Sequence, residues 1–588
     1  MYQRIACLLG TALACSAIFS TTATATPLER AVPENTYAII KIKNLKEFRE
    51  VSEEHPLIKA LWTEQMQDYL EPMLSQFNTE AGEAFEDEMG VDFETFLDYF
   101  DGQVLLAIMP KMDEETASAN WKDEPDYVLM LEFGCEFEKI NDMINSSAEY
   151  DSDAEGFKHT VKEEEFLGGT LYIEDIDYGD ETELAGAYMR YENIIATSTK
   201  VEPLRTALEY LTGEKDDRNF EDVMLEAPEY ASLEDGDLII AGNLKTLFTS
   251  LKESINANAA DPHAGMMGFN MVTLMQALNL ESIEFGSMIL SLDDDQVLMR
   301  TAISHTGEPG VMDLFQYEKG TLPDASFAPP NSYSVGVANF NFSKFFTKLE
   351  TLFKQAAPMF YTMYQAQLAN IRATQNIDLR TAFFENIGTG MVAFSAFPED
   401  VAKDDEHYSL ESTCYVLNVK DRQAMESAIE AMKSLAAQGY ELFETREYLG
   451  SKIYETPQRD NPAVPGQLAP SFAYTFTDTQ WILSMGSSKL LESVLARQET
   501  DANPLWEKEG IADAIDSMPD DSVARSYMNL STILKVIFQA MEQASMAGSG
   551  DMLDPDDRPD IEKLAFTLVS QSYDEPGCFY TIVNILQR

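Results

Sequence analysis

Carboxylates are the reactive groups that this sequence supplies in quantity, with 101 Asp and Glu among its 588 residues. Their spacing suggests a metal site at one place. The stretch DSDAEG, Asp151 to Gly156, has acids at positions 1, 3 and 5 and glycine at position 6, as a calcium-binding loop does. Position 12 of such a loop is a bidentate Glu, whereas this sequence has Lys162. The missing ligand favours a solvated loop over a calcium site, and we predict no bound metal.

No other set of residues has the spacing of a catalytic or cofactor site. The sequence contains no G-x-S-x-G, no H-E-x-x-H and no G-x-x-x-x-G-K-[ST], and so lacks a nucleophile elbow, a zinc-protease helix and a phosphate loop. The five histidines are isolated from one another: His55, His159, His263, His305 and His407. We therefore predict no catalytic residue, no cofactor and no metal ligand.

The cysteines do not indicate a disulfide framework. Cys7 and Cys15 lie in the N-terminal segment that we predict to be a cleaved signal peptide. Cys135, Cys414 and Cys578 remain, an odd number spread widely along the chain. Either one pair bridges and leaves one thiol over, or all three are free.

The first 25 residues are typical of a secretory signal peptide. Arg4 precedes an almost wholly apolar run from residue 5 to 19, and Ala23 and Ala25 then form an A-x-A cleavage signal. The apolar run is shorter than the roughly 20 residues of a membrane-spanning helix, and no later stretch is longer. We predict export to the periplasm or the cell exterior, with no transmembrane segment. Lipidation at Cys15 is a less favoured alternative, because Leu13 lies one position too close to the cysteine for the usual lipobox.

The charge of the chain restricts its partners. With 41 basic and 101 acidic residues, the formal net charge is −60. Such a surface repels nucleic acid and anionic lipid alike, and we predict a protein, peptide or lipid-like ligand. A hydrophobic content of 45% is that of a chain with buried cores. The acids therefore belong to the surface, where their scatter favours a role in solubility over the binding of cations.

A short strand that ends at Asn and leads into helix-spaced apolar residues occurs four times. The copies read KIKNLKEF, AGNLKTLF, ANFNFSKFF and YMNLSTIL. The i, i+3, i+4, i+7 spacing after each Asn predicts an amphipathic helix. The Asn then stands at the N-cap, where its side chain accepts a hydrogen bond from an unpaired N–H of the first turn. We predict this structural role, over a functional one, for Asn44, Asn243, Asn341 and Asn529.

The second half of the sequence repeats the first in order. PENTYAII at residue 33 matches PPNSYSVG at residue 329, and YVLMLE at residue 127 matches YVLNVK at residue 415. Six such matches in the same order indicate a tandem duplication. We predict four segments: a signal peptide at 1–25, a first α+β repeat at 26–305, a linker strap at 306–322 and a second α+β repeat at 323–588.

Mixed strands and helices joined by short turns predict an α+β fold for each repeat. We expect a mostly antiparallel sheet backed by helices on one face, with the strand–Asn–helix unit used twice per domain. Each repeat closes on an expected hairpin, IEFGSMILSLDDDQVLMRTAIS in the first and LAFTLVSQSYDEPGCFYTIVNI in the second. The shared motif L-G-x-x-[LI]-Y predicts hairpin turns at Gly168 and Gly450 and half-buried strand tyrosines at Tyr172 and Tyr454.

The signal peptide, the P-x-N-T-Y opening of a strand that runs into N-L-x-x-F, and the acidic α+β repeat resemble an uncharacterised family of exported bacterial proteins, a domain of unknown function. The resemblance covers both repeats and brings no catalytic residues to this sequence. Two functions stay open. One is an exported, non-enzymatic binding or envelope-associated protein, which is favoured because the duplication carries no duplicated polar set. The alternative is an unrecognised hydrolase with paired carboxylates in the inter-domain cleft.

Overall fold

The computed structural model describes residues 27–61, 63, 65–66, 93–111, 125–135, 137, 139–141, 158–177, 182–228, 236–258, 271–293, 296–396, 412–436, 443–457, 471–497, 505–508, 510–534, 538 and 566–587. The predicted signal peptide, Cys15 and the segment Asp151 to Gly156 lie outside these residues. Within them the chain is α+β, with helices packed on one large antiparallel sheet.

Within the described residues, twenty strands form the sheet. They are β1 Ala38–Ile42, β2 Val104–Met109, β3 Asp126–Glu132, β4 Lys158–Phe166, β5 Gly169–Asp177, β6 Thr182–Tyr191, β7 Ile194–Ser198, β8 Leu238–Gly242, β9 Ile283–Asp293, β10 Gln296–His305, β11 Ser332–Asn339, β12 Ile387–Ala396, β13 Thr413–Val419, β14 Glu444–Tyr448, β15 Ser451–Glu455, β16 Ser471–Phe476, β17 Gln480–Gly486, β18 Ala524–Asn529, β19 Phe566–Glu575 and β20 Cys578–Gln587. All nineteen pairings between them are antiparallel.

Read outward from the β10–β20 pair, the strand order is the same in both directions. From β10 the neighbours are β9, β8, β1, β2, β3, β7, β6, β5 and β4. From β20 they are β19, β18, β11, β12, β13, β17, β16, β15 and β14. Each strand on one side thus has a counterpart numbered ten higher on the other. Nine residue pairs, from Gln296↔Leu586 to Ser304↔Cys578, join β10 to β20, so the sheet continues from residues 26–305 into residues 323–588.

Local turn chemistry explains the hairpins. The two predicted hairpins are confirmed as β9–β10 and β19–β20. The L-G motifs form the two-residue turns of the β4–β5 and β14–β15 hairpins, with φ of +83° at Gly168 and +76° at Gly450. The leucines before them also have positive φ, 50° at Leu167 and 47° at Leu449. Both turns therefore have the left-handed residue pair of a type I′ turn, with leucine where Asn or Gly is usual.

The α-helices and one π-helix lie between the strands in sequence. They are α1 Leu45–Glu54, α2 Pro56–Leu61, α3 Phe93–Leu97, α4 Val201–Thr212, α5 Phe220–Glu226, α6 Leu244–Asn258, α7 Met271–Leu278, α8 Phe342–Ala356, α9 Pro358–Gln375, the π-helix Arg380–Phe384, α10 Arg422–Ala436, α11 Lys489–Arg497 and α12 Ile511–Asp516. A further turn of helix follows β18 at residues 530–534.

Helices cover both faces of the sheet, so the expectation of helices on one face was wrong. Successive side chains of a strand point to opposite faces, and β3 shows what each face meets. Leu129 and Leu131 belong to the core that contains α1, whereas Val128 and Met130 belong to the core that contains α4. All four are at most 5% exposed. A strand that is apolar on both faces needs cover on both, and the continuous apolar run YVLML was the signal for it.

The strand–Asn–helix units lie side by side within each half. β1 pairs with β8, and β11 pairs with β18. One core extends across the join of the halves, because Phe538 and Phe566 pack in the same cluster as Ile42 and Phe48. The helices and strands of the two halves are therefore held by a shared apolar interior as well as by the β10–β20 ladder.

Residues 306–322, the predicted strap, pack on the second half. Tyr317 stacks on Phe579 with ring centroids 5.6 Å apart and meets Phe340 edge-on at 5.3 Å. Asn341 N donates to Gln316 O at 2.7 Å, immediately before α8 begins. The strap thus helps to fix the start of that helix.

Among the residues that the structure covers, no helix has both the length and the apolar character to cross a membrane. Within the described part of the chain, no disulfide involves Cys135, Cys414 or Cys578.

Candidate functional site

Each of the four cap asparagines accepts a hydrogen bond from the backbone N–H three residues further on. The donors and distances to Oδ1 are Glu47 N to Asn44, 2.9 Å; Thr246 N to Asn243, 3.1 Å; Lys344 N to Asn341, 2.9 Å; and Thr532 N to Asn529, 3.3 Å. Because β1 and β8 are antiparallel, the asparagines that follow them lie at opposite ends of the pair, and the same holds for β11 and β18. The four residues are not brought together, and capping accounts for each of them separately.

Three carboxyl groups at the end of the sheet where β1 finishes have a raised pKa. Glu132 is only 6% exposed and accepts a hydrogen bond from Gln103 N at 2.8 Å. Burial is the main cause of its raised pKa, and the charge of Asp101 adds to it. Burial also raises the pKa of Glu47 and of Asp237, and the charge of Asp237 raises that of Glu47 further. Carboxyls with raised pKa values are candidates for proton transfer.

These acids belong to the first half, and each is next in sequence to a residue of the core that the two halves share. The hydrolase alternative expects a carboxylate pair in a cleft between the halves, which are joined by the β10–β20 ladder. Asp237 Oδ2 accepts a hydrogen bond from Leu292 N at 2.8 Å, and one Glu47 oxygen is buried without a hydrogen-bond partner. Among the described residues, no group of three or more His, Cys, Asp and Glu side chains is arranged to hold a metal ion.

The motif tyrosines Tyr172 and Tyr454 each stack on a tyrosine of the neighbouring strand. The ring centroids of Tyr172 and Tyr188 are 4.5 Å apart and those of Tyr454 and Tyr474 are 4.7 Å apart, with both pairs inclined at 7°. Burial raises the pKa of the Tyr188 and Tyr474 phenols. Lys433 Nζ of α10 lies 4.2 Å from the Tyr454 ring centroid, a cation–π contact that fixes the helix on the strands. The pairs therefore stabilise the fold and do not form a reactive site.

A pocket of about 670 Å³ opens beside α10 in the second half. It is lined by Ser343 of α8, by residues between 376 and 386 around the π-helix, and by residues between 420 and 427 at the start of α10. Its volume is in the range of small-molecule sites, and it is a depression open to solvent, not an enclosed cavity. None of its residues was singled out in the sequence.

A π-helix forms one wall of the pocket. The chain leaves α9 at Asn376, whose φ of 55° ends the helix in the left-handed conformation. The π-helix Arg380–Phe384 begins four residues later and contributes Thr381 and Ala382 to the lining. A π-helix is a rare conformation that is frequently found at functional sites. This wall is therefore a feature of interest for binding.

A buried amide holds the two walls of the pocket together. Asn386 is 5% exposed, and its Nδ2 donates to Ala382 O at 3.1 Å and to Asp421 O at 2.6 Å. Its Oδ1 accepts from Asp421 N at 2.7 Å. Asp421 in turn caps α10, because its Oδ1 accepts from Ala424 N at 3.0 Å. Every polar atom of the Asn386 amide group is thereby paired, and the pocket is preformed.

The described lining of the pocket includes three acids and one lysine. Lys420 Nζ donates to Glu385 O at 2.5 Å. Asp378 and Glu385 have side chains that are 44% and 45% exposed, and their guanidinium partners are 3.4 and 3.5 Å away. These contacts are longer than charge-assisted hydrogen bonds, which measure about 2.7–2.9 Å. Both carboxylates can therefore accept further hydrogen bonds from a bound molecule.

Sequence reasoning missed this site because its lining comes from segments far apart in the chain. One local signal existed: YVLNVK runs straight into Asp421, which is the same strand-to-cap pattern that identified the four asparagines. A π-helix has no comparable signal.

No protein-family model matches the chain, and no curated protein matches it. Among solved structures it is similar to TP0453. Crystal form I of that protein is 11% identical over 48% of this chain and 81% of that chain, with a TM-score of 0.22. Crystal form III is 8% identical over 52% of this chain and 92% of that chain, with a TM-score of 0.22. Likenesses with so low a TM-score carry no argument about function.

Proposed function

We propose that this protein is an exported, non-enzymatic binding protein built from two homologous α+β repeats. The strand order that reads alike in both directions from β10–β20 supports the duplication that the sequence matches suggest. The pocket supports the binding role, because its walls are fixed by paired polar groups while its outer carboxylates keep hydrogen-bonding capacity. The preformed pocket beside the π-helix is the observation that carries the proposal.

The ligand is a small polar molecule with at least one ammonium group. Asp378 and Glu385 stand on either side of the π-helix and present carboxylates to the pocket. The one lysine of the lining is directed to a backbone carbonyl. A chain with a net charge of −60 also attracts cations over a distance and repels anions. Hydroxyl and amide groups along the lining supply the remaining hydrogen bonds.

Paired probes test the charge requirement. Putrescine is compared with 1,4-butanediol, and glucosamine with glucose, by thermal shift and titration calorimetry. We expect saturable binding of at least one amine, at least tenfold tighter than its neutral counterpart. The double variant Asp378→Asn with Glu385→Gln should weaken that binding at least tenfold, since it keeps the shape of both side chains and removes their charges.

The matched control is Glu54→Gln, the same chemical change at an exposed residue of α1. It should bind the amine as the parent does. Equal affinity for amine and neutral probe, or binding that survives the double variant unchanged, would contradict the proposed site.

The hydrolase alternative retains one specific observation: burial raises the pKa of both Glu47 and Asp237, and the charge of Asp237 raises that of Glu47 further. It predicts turnover of chromogenic glycosides or esters that Asp237→Asn abolishes. The binding proposal predicts no turnover by either protein.

A further inference from the structure

Residues 351–377 are free of acid in a strongly acidic chain. Asp and Glu make up 101 of 588 residues, so a stretch of this length would carry about four or five at the average density. It carries none, and its charges are Lys354 and Arg372. The segment comprises the last turns of α8 and the whole of α9.

This acid-free segment is also unusually exposed. Ile371 is the one buried residue of α9, which has 18 residues. Large apolar side chains stand in solvent at its N-terminal end, where Met359 is 63%, Phe360 38% and Met363 61% exposed. Phe353 at the end of α8 is 43% exposed. We call these four side chains the α9 patch.

The α9 patch is too small to hold two copies of the chain together. A fully exposed large apolar side chain has about 200 Å² of accessible surface, so the exposed parts of these four side chains together amount to on the order of 400 Å². A stable interface needs roughly 800 Å² from each partner. Two copies that each carry a charge of −60 also repel one another. Self-association through this surface is therefore disfavoured on both area and charge.

A lipid surface makes different demands. Peripheral helices insert a few large apolar side chains at the level of the headgroups, where a carboxylate close to the inserted groups would have to be desolvated. Phe and flexible Met side chains suit that depth, and α9 carries two half-exposed tyrosines, Tyr361 and Tyr364, of the kind that favour the interface. The segment supplies no acid of its own, and the carboxylates that reach α9 from outside it are paired with cations: Glu350, which accepts from the Tyr364 hydroxyl, with Arg380, and Asp378 with Arg372.

The net charge selects the type of lipid. An anionic membrane would repel the rest of the molecule, whereas a bilayer of zwitterionic phospholipid would not. We propose that the α9 patch docks this protein on a zwitterionic phospholipid surface. The inference is independent of the proposed ligand pocket.

Flotation with vesicles tests it. The full chain is mixed with vesicles of phosphatidylcholine and centrifuged through a density gradient. We expect the parent protein to float with the vesicles and the double variant Met359→Glu with Met363→Glu to lose at least tenfold in bound fraction. Both residues are exposed, so the variant should keep the circular dichroism spectrum and melting temperature of the parent. The control is Leu225→Glu, which makes the same kind of change once, at a 50% exposed apolar residue of α5, and it should float like the parent.

Vesicles with added phosphatidylglycerol should bind less protein at low salt. The bound fraction should recover when sodium chloride is added, because salt screens the repulsion. Three results would overturn the proposal: no flotation of the parent protein, equal flotation of the double variant, or tighter binding to the anionic vesicles. A concentration-dependent dimer in sedimentation that the double variant abolishes, with no vesicle binding, would assign the patch to self-association instead.

Discussion

Replacement of Lys41 by methionine should unfold part of the first half at lower denaturant than in the parent protein. Lys41 Nζ donates to both carboxylate oxygens of Glu29, at 2.7 and 2.6 Å. The two side chains are 11% and 9% exposed, so the pair is buried. Methionine fills most of the same volume but leaves the Glu29 carboxylate without its cation. Removing one partner of a buried pair costs about 3–5 kcal/mol, and we expect a loss of that size.

The control is an exposed ion pair of the same protein. Lys319 and Glu575 meet at 2.8 Å with side chains 48% and 44% exposed. Lys319→Met should leave the unfolding midpoint close to that of the parent, because water screens such a pair. A second control replaces both buried partners, Lys41→Met with Glu29→Leu, and should recover most of the loss, since no charge then remains buried.

Urea unfolding followed by circular dichroism gives the midpoints of the four proteins. A chain of this length need not unfold in one step, so hydrogen exchange of peptides that cover β1 supplies the local free energy of opening. If Lys41→Met costs no more than Lys319→Met, or if the double replacement is as unstable as the single one, burial does not set the strength of this pair and the reasoning fails.

Two further predictions concern single residues. Glu132 has a folded-state pKa above the ordinary value of 4.5, so its carboxyl contributes stability that is fully present below pH 4.5 and is lost as the pH rises through the folded-state pKa. Glu132→Gln should therefore equal or exceed the parent in unfolding free energy at pH 7, and this advantage should disappear towards pH 4.5; an advantage that grows with acidity would contradict the burial argument. Leu449 is 62% exposed with φ of 47°, a conformation that costs an ordinary residue roughly 1–2 kcal/mol and that Asn tolerates. Leu449→Asn should raise the free energy of unfolding by about 0.5–1 kcal/mol in urea melts whereas Leu449→Ala should not, and equal effects would show that the turn is unstrained.

The parts of the fold that could be predicted from sequence are those fixed by neighbouring residues. The β19–β20 hairpin follows from alternating strands and turn residues that are adjacent in the chain. The Asn44 side chain meets an N–H only three residues away, so cap chemistry and helix spacing suffice to place it. Gly168 likewise needs only the two-residue turn that its own hairpin imposes.

The arrangement of these elements could not be predicted in the same way. β10 pairs with β20 across nearly three hundred residues of chain, and no local pattern distinguishes that neighbour from any other apolar strand. The pocket has the same origin. Asn386 holds the π-helix to Asp421, and the two segments meet because β12 and β13 are adjacent in the sheet. Only the pairing of strands brings these polar groups together. The lack of acid in α9 can be seen in the sequence, but its significance depends on the exposure of that helix, which the sequence does not give.

The distribution of charge distinguishes the surfaces that must stay apart from those available for contact. Among the residues described, β4 and β14 each pair on one side only and so end the series of strands. An unpaired strand edge invites another chain, and charged side chains prevent it. Glu163 and Glu165 of β4 and Glu444 and Glu447 of β14 are exposed on these strands, while α9 carries no acid at all. Solubility alone would not require acids on the end strands together with their absence from an exposed helix. The pattern therefore favours a chain that keeps its sheet ends free and reserves one apolar helix surface for contact.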